Sequence, residues 1–343
     1  MKQFTVTGTH SEIGHAIGQQ FAAQIHQFLD AYPFMQRLLA FHNSAEGQAR
    51  YQQYLAINQQ HFPAYMLELE AIAHGANRPF HHLFLVNMRG EYRDYLNEHA
   101  LFGCSDVAVV TNDNALIGHN EDGDIALADT AYLVQVSIPN QPSFTSFSYP
   151  GFLCGNALGF NRAGICFSVD NVQPRNIEIG LVRHFIARSL LAATSLDDAI
   201  ARATVAGRAG GFSYTIGSIH ERRIVIVETA PHQQHVREIK GIFYHANQYV
   251  GLEMDQSAQS ISKSSMARSQ RAQELLQNKQ NLDHAGILEI LTDCKNTQLP
   301  ICRIPSATDD TATICTTIFD LDRQRFKLYP GPISKFAPIE LAL

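Results

Sequence analysis

One cysteine of the chain stands where a protein could cut its own backbone. Cys104 directly follows Gly103, at the border between a helical segment and a β-rich body, and it opens the first strand predicted after that border. Because glycine permits backbone conformations that other residues avoid, a strained peptide bond can be placed there. Attack of the Cys104 thiol on the Gly103 carbonyl would give a thioester, and hydrolysis of that thioester would make Cys104 a new amino terminus.

Such a terminus would carry a nucleophile and a base on one residue. An α-amino group has a pKa of about 7.7 to 8.0, so near neutrality it can take the thiol proton and later donate it to a leaving amine. The position of Cys104 alone is also typical of a buried strand cysteine, which is the commoner case. No two of the 6 cysteines form a C-x-x-C pair, which predicts free thiols in a reducing compartment.

A short acidic stretch, GHNEDGD, follows the cysteine and places His119, Glu121, Asp122 and Asp124 close together. The Asp-Gly pair within it is typical of a hairpin turn. Carboxylates at alternate positions can also bind a hard cation, but their spacing differs from that of the twelve-residue calcium loop. We therefore predict no metal site.

Composition and charge exclude several classes of protein. The chain has 343 residues, of which 45% are hydrophobic and 17% charged, as in ordinary globular proteins. Its net charge of −6 and the absence of a Lys/Arg block argue against a nucleic-acid partner. No apolar run approaches the roughly 18 residues that span a bilayer, and none near the start resembles a signal peptide. We expect a cytoplasmic protein with no membrane partner and, without a glycine-rich nucleotide motif, no cofactor.

The order of the predicted elements favours an α+β fold in a single domain over residues 1–343. The first hundred residues have mostly helical periodicity, and a first amphipathic helix over residues 11–30 has Ser11 as its N-cap. Strands follow from Cys104, then helices over 180–205, more strands, two helices at about 263–278 and 282–292, and final strands. This order predicts packed sheets with helices outside them. The apolar positions of the first helix are Ile13, Ile17, Phe21, Ile25 and Phe28.

Several segments, taken in order, resemble one known family. They are EIGHAIG, FGCSDVAVV, GHNEDGD, GFNRAGICFSVDN, IVIVETAP, YHANQYV, ICR and TICTTIFDL followed by LYPGP. Together they resemble the acyl-coenzyme A:isopenicillin N acyltransferase family of N-terminal nucleophile (Ntn) cysteine hydrolases. The resemblance implies a four-layer αββα sandwich and autoproteolysis into a helical segment, 1–103, and a chain that carries the nucleophile, 104–343. It also implies cleavage or exchange of amide and thioester acyl groups.

The resemblance also implies roles for individual residues. Cys104 matches the family nucleophile, Asp122 matches an acid that orients the amine or the thiol, and Asn247 matches the asparagine that stabilises the tetrahedral oxyanion. Without the family, Asp122 and Asn247 are typical of a turn and of a strand end. Four further positions are predicted to contact substrate: Glu121, Asn171, Arg188 and Thr316.

The chain also departs from the family pattern. Glu121 and Gly123 flank Asp122 where the family often has an aromatic residue, and Ile304 stands where a histidine is common. These differences argue against penicillin chemistry. Acidic residues at the mouth of a pocket predict a polar or cationic amide.

We therefore predict an autoproteolytic cysteine amidohydrolase or acyltransferase acting on a small amide or acyl thioester through a Cys104 thioester. One alternative is an unprocessed family member that serves as a small-molecule binding protein. Another is a conventional thiol hydrolase that pairs its cysteine with His119 or His245. The sequence is compatible with a monomer or a homo-oligomer.

Overall fold

The computed structural model describes residues 1–93, 96, 103–251, 258–305, 310–331 and 337–343. The helices within these ranges are α1 (His10–Gln20), α2 (Ala22–Ala31), α3 (Pro33–His42), α4 (Ala45–His61), α5 (Pro63–Gly75), α6 (Phe80–Asn87), α7 (Arg89–Tyr92), α8 (Arg183–Leu190), α9 (Leu196–Ala203), α10 (Lys263–Leu276) and α11 (His284–Leu291). The strands are β1 (Lys2–Thr7), β2 (Ser105–Val110), β3 (Ala115–Asp124), β4 (Tyr132–Ser137), β5 (Phe144–Ser148), β6 (Leu158–Asn161), β7 (Ile165–Asn171), β8 (Phe212–Ser218), β9 (Arg223–Thr229), β10 (Gln234–Glu238), β11 (Gly241–His245), β12 (Thr311–Asp320), β13 (Arg325–Pro330) and β14 (Ile339–Ala342).

These strands form two sheets. The larger has the order β1-β4-β5-β6-β7-β8-β9-β10 and the smaller the order β11-β2-β3-β12-β13-β14. All neighbours pair antiparallel except β1, which runs parallel to β4. Strands β2 and β3, which follow Cys104 and carry the acidic stretch, lie side by side in the middle of the smaller sheet.

The two sheets pack face to face, and a buried carboxylate joins them. Asp106 of β2 accepts hydrogen bonds from two hydroxyls of the larger sheet, those of Ser168 at 2.8 Å and of Thr215. Asp106 is fully buried. Because a buried carboxylate needs such partners, this contact fixes how β2 lies against β7 and β8.

Helices cover the outer faces of both sheets. In the smaller sheet, a Cβ on Gly118 would lie 2.3 Å from Cγ2 of Ile287, so α11 can approach β3 only because position 118 is glycine. In the larger sheet, a Cβ on Gly159 would lie 2.6 Å from Cδ2 of Leu191, which directly follows α8. The layers are helix, sheet, sheet and helix, so the predicted α+β fold with four αββα layers is confirmed. None of the helices in the described ranges combines the length and the apolar character needed to cross a bilayer.

The amino-terminal segment is mostly helical, with two differences from the expectation. The predicted first helix is divided at Phe21 into α1 and α2, and its N-cap is Thr9, which forms a capping box with Glu12, rather than Ser11. The predicted apolar stripe is nonetheless buried throughout, and Phe21 stacks on Tyr132 of the larger sheet with ring centroids 3.6 Å apart. Strand β1 was not expected. It pairs with β4, some 130 residues away along the chain, and local sequence patterns cannot show such a partner.

Candidate active site

The backbone of Cys104 is held by two side chains from distant parts of the chain. The Cys104 amide donates to Oδ1 of Asn247 at 3.0 Å. Arg268 of α10 donates to the same Oδ1 at 2.6 Å, to the Cys104 carbonyl, and to the Ser105 hydroxyl at 2.8 Å. Both the N–H and the carbonyl of Cys104 are therefore fixed.

Only glycine fits immediately before the cysteine. A Cβ on Gly103 would lie 2.4 Å from Nη2 of Arg268 and 2.7 Å from Oδ1 of Asn247. These distances are well below van der Waals contact. Oδ1 of Asn247 accepts from this Nη2 and from the Cys104 N–H, so neither atom could move away without breaking one of these bonds. The Gly-Cys pair noted in the sequence thus has a steric reason.

The thiol of Cys104 belongs to a chain of buried polar groups. Its Sγ donates to Oε2 of Glu121 at 3.6 Å, and the same oxygen lies 3.1 Å from Nε2 of His119. Nδ1 of His119 lies 2.6 Å from Oδ1 of Asp106, and the Tyr149 hydroxyl donates to Oε1 of Glu121 at 2.7 Å. A continuous line of hydrogen bonds therefore runs from the thiol through Glu121 and His119 to Asp106.

The environment sets opposite protonation states for the cysteine and the histidine. Burial raises the pKa of the Cys104 thiol well above its ordinary value, and the negative charge of Glu121 raises it further. Burial opposes a charge on His119, but attraction to Asp106 and hydrogen bonds to Asp106 and Glu121 outweigh burial and raise its pKa well above normal. In the uncut chain, a neutral thiol thus lies next to a carboxylate that is paired with an imidazolium.

Asp122 lies beside the thiol and is the most perturbed carboxyl of the acidic stretch. Burial raises its pKa to about 7, although the charge of Arg268 opposes this. The Thr313 hydroxyl donates to Oδ1 at 2.7 Å, while Oδ2 is buried without a hydrogen bond. A carboxyl with a pKa near neutrality in a cavity is typical of acid–base chemistry.

Cys104, Glu121 and Asp122 all line one cavity of about 970 Å³, open solvent included. Most of the rest of its lining is aromatic or cationic, and it also includes Asn171. The aromatic residues are Phe28, Tyr32, Phe34, Tyr149, Phe152 and Phe212, and the cationic residues are Arg89, Arg93 and Arg183. The charge of the cavity thus differs from the acidic mouth expected from the sequence, because arginines from remote positions converge on it.

Asn171 and Asn247 connect the cationic part of the cavity to the cysteine. Nη1 of Arg183 donates to Oδ1 of Asn171 at 2.8 Å, and Nδ2 of Asn247 donates to the Asn171 carbonyl at 2.9 Å. A side-chain amide has two N–H donors. Asn247 therefore retains a second N–H that can donate to an oxyanion, while its oxygen holds the Cys104 nitrogen.

Two predicted substrate-binding residues do not belong to the lining of this cavity. Arg188 is fully buried and pairs with Glu68 of α5 through two hydrogen bonds of 2.9 and 2.8 Å. Thr316 is also fully buried and donates to Oδ1 of Asn120 at 2.6 Å, between neighbouring strands. Each side chain is already used to hold structural elements together, so we expect structural roles for both, and their contact with substrate stays a prediction.

His245, the second histidine considered as a partner for the cysteine, belongs to another buried cluster. Its Nδ1 lies 2.5 Å from Oδ2 of Asp170 and its Nε2 lies 3.3 Å from Oε1 of Glu228. Burial opposes the charge, but these hydrogen bonds outweigh it and raise the pKa of His245 to about 10. Of the two histidines, the structure brings His119 closer to the thiol, through Glu121.

The same network offers donor atoms for a metal. One atom each of Cys104, His119 and Glu121 lies within 4.8 Å of the others, as do atoms of Asp106, His119 and Asp170. The first set has the thiol, imidazole and carboxylate donors that zinc accepts. A zinc ion there would occupy the thiol, so metal binding and nucleophilic use of Cys104 exclude each other. The prediction of no metal site stays a prediction.

Sequence reasoning did not find Arg268, Tyr149 or the three cavity arginines. Arg268 lies on a helix that was predicted correctly, but its polar surroundings gave no sign that this side chain faces inward. Arg89 begins α7 and Arg93 directly follows it, whereas Arg183 begins α8, about 90 residues later. No local motif therefore joins the three arginines. The glycine before Cys104 was the one sequence signal for a crowded junction.

Comparisons with known proteins show which family the chain resembles. The model of the family described as acyl-coenzyme A:6-aminopenicillanic acid acyl-transferase matches residues 109–332, more than half of the chain. The β-alanyl-dopamine/carcinine hydrolase of Drosophila melanogaster is 29% identical over 96% of this chain and 93% of its own length. The acyl-coenzyme A:6-aminopenicillanic-acid-acyltransferase 40 kDa form of Emericella nidulans is 26% identical over 88% of this chain and 85% of its own.

Among solved structures, a mutant of conjugated bile acid hydrolase from Clostridium perfringens aligns with a TM-score of 0.46 and 11% identity, over 70% of this chain and 92% of that one. This likeness is weak and adds nothing to the fold described above. The family match covers the acidic stretch, Asn171 and Asn247. The chain therefore belongs to the acyl-coenzyme A:6-aminopenicillanic acid acyltransferase family, and it is an enzyme of the amide-hydrolase and acyltransferase class.

Proposed function

We propose that the protein is an autoprocessing cysteine amidohydrolase or acyltransferase that uses the thiol of Cys104 as its nucleophile. The crowded junction supports this proposal most strongly. Gly103 has no room for a side chain, and Asn247 and Arg268 hold the N–H and carbonyl of Cys104. The thiol of the same residue lines the cavity. A merely structural strand cysteine would not need its backbone N–H and carbonyl fixed by two distant side chains.

In the processing step, Sγ of Cys104 attacks the carbonyl carbon of Gly103 and the thiol proton passes to Oε2 of Glu121, 3.6 Å away. The C–N bond then breaks, and the nitrogen leaves as the α-amine of Cys104 after taking a proton. Water hydrolyses the thioester, which releases the Gly103 carboxylate and regenerates the thiol. Oδ1 of Asn247 already accepts from this nitrogen and would continue to hold it as an amine.

Processing would change the chemistry of the thiol. In the uncut chain, burial and nearby carboxylates keep Cys104 protonated. The new α-amine would take the thiol proton, and the ammonium group formed would lower the pKa of the thiol, because an opposite charge favours the thiolate. This ammonium group would then give its proton to the departing amine of a substrate. The cut thus converts an inert thiol into a nucleophile with its own base.

In turnover, the thiol attacks the acyl carbon of an amide, and the tetrahedral oxyanion accepts the second N–H of Asn247. Loss of one such donor typically costs about a hundredfold or more in rate. The substrate amine leaves with a proton from the α-amine, and water or an acceptor amine resolves the thioester. Asp122, with its pKa raised to about 7, would hold the α-amine in position.

One observation favours a second candidate, a thiol hydrolase that works without being cut. The line of hydrogen bonds from Cys104 through Glu121 and His119 to Asp106 offers the thiol a proton acceptor that needs no free amine. This candidate predicts thiol-dependent turnover by an intact chain. The two candidates share the nucleophile and differ only in whether the backbone is cleaved.

Intact mass under denaturing conditions distinguishes them. Freshly purified wild type should give fragments of about 11 and 27 kDa, in proportion to the residues on either side of the junction. Cys104→Ala should give one uncut species, and the matched variant Cys166→Ala, which changes a buried strand cysteine away from the cavity, should be cut like wild type. A single uncut species that turns over amides would favour the second candidate. An uncut and inactive wild type would overturn both candidates and favour a binding protein.

The substrates named for the Drosophila relative, β-alanyl-dopamine and carcinine, are suitable first amides for an activity screen. Acyl-coenzyme A thioesters with an acceptor amine test the transferase alternative. Hydrolysis needs only water, whereas transfer also needs an acceptor, so the ratio of free acid to transferred product measures which reaction dominates.

A further inference from the structure

Three buried side chains beside the cavity direct one donor atom each towards a common point. They belong to Cys104, His119 and Glu121, and these donor atoms all lie within 4.8 Å of one another. The carboxylate oxygen Oε2 lies in the middle of the group, 3.6 Å from the sulfur and 3.1 Å from Nε2 of the imidazole. The group therefore combines a thiol, an imidazole and a carboxylate, which are the three side-chain ligands that zinc accepts.

The distances within the group are close to those of a tetrahedral zinc site. With ordinary zinc bond lengths, a bound sulfur lies about 3.6 Å from a bound oxygen, and that oxygen lies about 3.4 Å from a bound nitrogen. The corresponding distances to Glu121 are 3.6 and 3.1 Å. The remaining separation, between the donor atoms of Cys104 and His119, would have to shorten from at most 4.8 Å to about 3.6 Å. A small rotation of the Cys104 side chain can supply this movement.

The groups behind the donors are also those that orient ligands at zinc sites. Nδ1 of His119 lies 2.6 Å from Oδ1 of Asp106, which leaves Nε2 on the side of the thiol. The Tyr149 hydroxyl donates to Oε1 of Glu121 at 2.7 Å and leaves Oε2 for an ion. A carboxylate behind a ligating histidine and a hydrogen bond to a ligating carboxylate recur at such sites. The ligand atoms are therefore held in place before any ion arrives.

A fourth group beside the thiol lacks a partner. Asp122 is 2% exposed and lines the same cavity as Cys104, yet its Oδ2 has no hydrogen bond. A buried carboxylate oxygen without a donor is costly, and a nearby cation would remove that cost. This observation is independent of the three donors and points to a positive charge at the same place.

We propose, on the basis of the function proposed above, that Cys104, His119 and Glu121 bind one zinc ion that inhibits the enzyme. The fourth position faces the cavity and is open to water or to Asp122. Zinc takes the place of the thiol proton and of the proton on Nε2, and both protons pass to the solvent. The sulfur electron pair that would attack a carbonyl then forms the Zn–S bond. Processing and turnover both wait until the ion leaves.

The fold explains why the acidic stretch alone predicted no metal site. That prediction considered its carboxylates as oxygen ligands for a hard cation, and their spacing differs from that of a calcium loop. The structure adds Cys104, which precedes β2, to His119 and Glu121 of β3. A thiolate and an imidazole favour zinc over magnesium and calcium, which prefer oxygen ligands.

Calorimetric titration of the chelator-treated full chain with zinc chloride tests the site. Wild type should bind one ion. Cys104→Ala should bind it at least about a hundredfold more weakly, and Tyr149→Phe, which keeps all three donors, about tenfold more weakly. The matched control Cys166→Ala changes a buried cysteine of β7 and should bind like wild type. Magnesium should not compete. Thermal unfolding of each metal-free variant establishes that it is folded.

Cobalt(II) identifies the ligands directly. A thiolate bound to cobalt gives a charge-transfer band in the near ultraviolet, and tetrahedral coordination gives strong visible bands. Wild type and Cys166→Ala should show both, and Cys104→Ala should lose the charge-transfer band. A charge-transfer band that persists in Cys104→Ala, or zinc binding that is unaffected by both Cys104→Ala and Glu121→Gln, would indicate an adventitious ion only and would overturn the proposal.

Turnover separates this proposal from the proposed function. One equivalent of zinc should abolish amide turnover by wild type, and excess chelator should restore it. Turnover that is unchanged by bound zinc would retain the mechanism and overturn the inhibitory site. An uncut wild type that stays inactive after chelation, yet shows the cobalt band that depends on Cys104, would retain the metal site and remove the enzyme mechanism.

Discussion

Two groups of charged residues line the same cavity but have different origins. Glu121 and Asp122 are adjacent on β3 and act electrostatically on Cys104. The cavity arginines Arg89, Arg93 and Arg183 come from α7, its end and α8, far apart in the chain, and their charges lower the pKa values of Arg183 and His184. The first group acts on the thiol, and the second lies where it could contact a substrate. A local motif can indicate a reaction, whereas the fold assembles the surface that selects the substrate.

A fourth arginine sharpens this comparison because it has its own carboxylate. Arg188 is fully buried and bound to Glu68, so we expect a structural role. Arg188→Met leaves Glu68 buried without its main partner and should lower the free energy of unfolding by about 3 to 5 kcal/mol. Urea unfolding in the Cys104→Ala background measures this loss. Glu68→Met combined with Arg188→Met should restore part of it, and a change in KM with unchanged stability would contradict the assignment.

The acidic group should also affect stability, in a way that depends on pH. In the folded protein the pKa of Asp122 is about 7, against an ordinary value of 3.8. The stabilisation that the protonated carboxyl gives the fold is therefore fully present below pH 3.8 and is lost as the pH rises through 7. Asp122→Asn does not titrate. Between about pH 4 and pH 8, the stability of the parent should therefore fall relative to this variant by roughly 3 kcal/mol. Urea unfolding of both proteins in the Cys104→Ala background at several pH values tests this, and parallel pH profiles would contradict the raised pKa.

A change to Glu121 separates catalysis from substrate preference. Glu121→Gln removes the carboxylate next to the thiol and should lower the rate of processing or turnover by about a hundredfold. The preference between anionic and cationic amides should stay unchanged, because the three cavity arginines remain. Competition between carnosine and carcinine measures that preference. If Glu121→Gln instead shifted it strongly towards anionic amides, the acidic residues would be selecting the substrate.

The smallest effect on stability is expected at Thr316 of β12, which pairs with Asn120 next to the acidic residues of β3. Thr316→Val removes the 2.6 Å hydrogen bond to Asn120 and leaves a buried amide oxygen without that donor. The cost should be about 1 to 3 kcal/mol of stability. KM should not change, since Thr316 does not line the cavity. Thermal unfolding and substrate titration of the same sample check both expectations, and a raised KM would return Thr316 to the substrate site.

The parts of the molecule that follow from local patterns were predictable from the sequence. The apolar stripe of the first helix, the strands after Cys104 and the two late helices all lie where the periodicity predicts them. Strand β1 was missed because its partner is β4, far along the chain. The acidic stretch was visible as a motif, but Arg268 and the three cavity arginines were not, because only tertiary packing brings them to the site.

Mass spectrometry of the acid-quenched enzyme during turnover tests the central claim most directly. With a slowly cleaved amide, the account predicts a fragment of about 27 kDa that begins at Cys104 and carries the acyl group on that cysteine, and no adduct on Cys104→Ala. An acyl adduct on another residue, or turnover by a chain in which the Gly103–Cys104 bond remains intact, would contradict it.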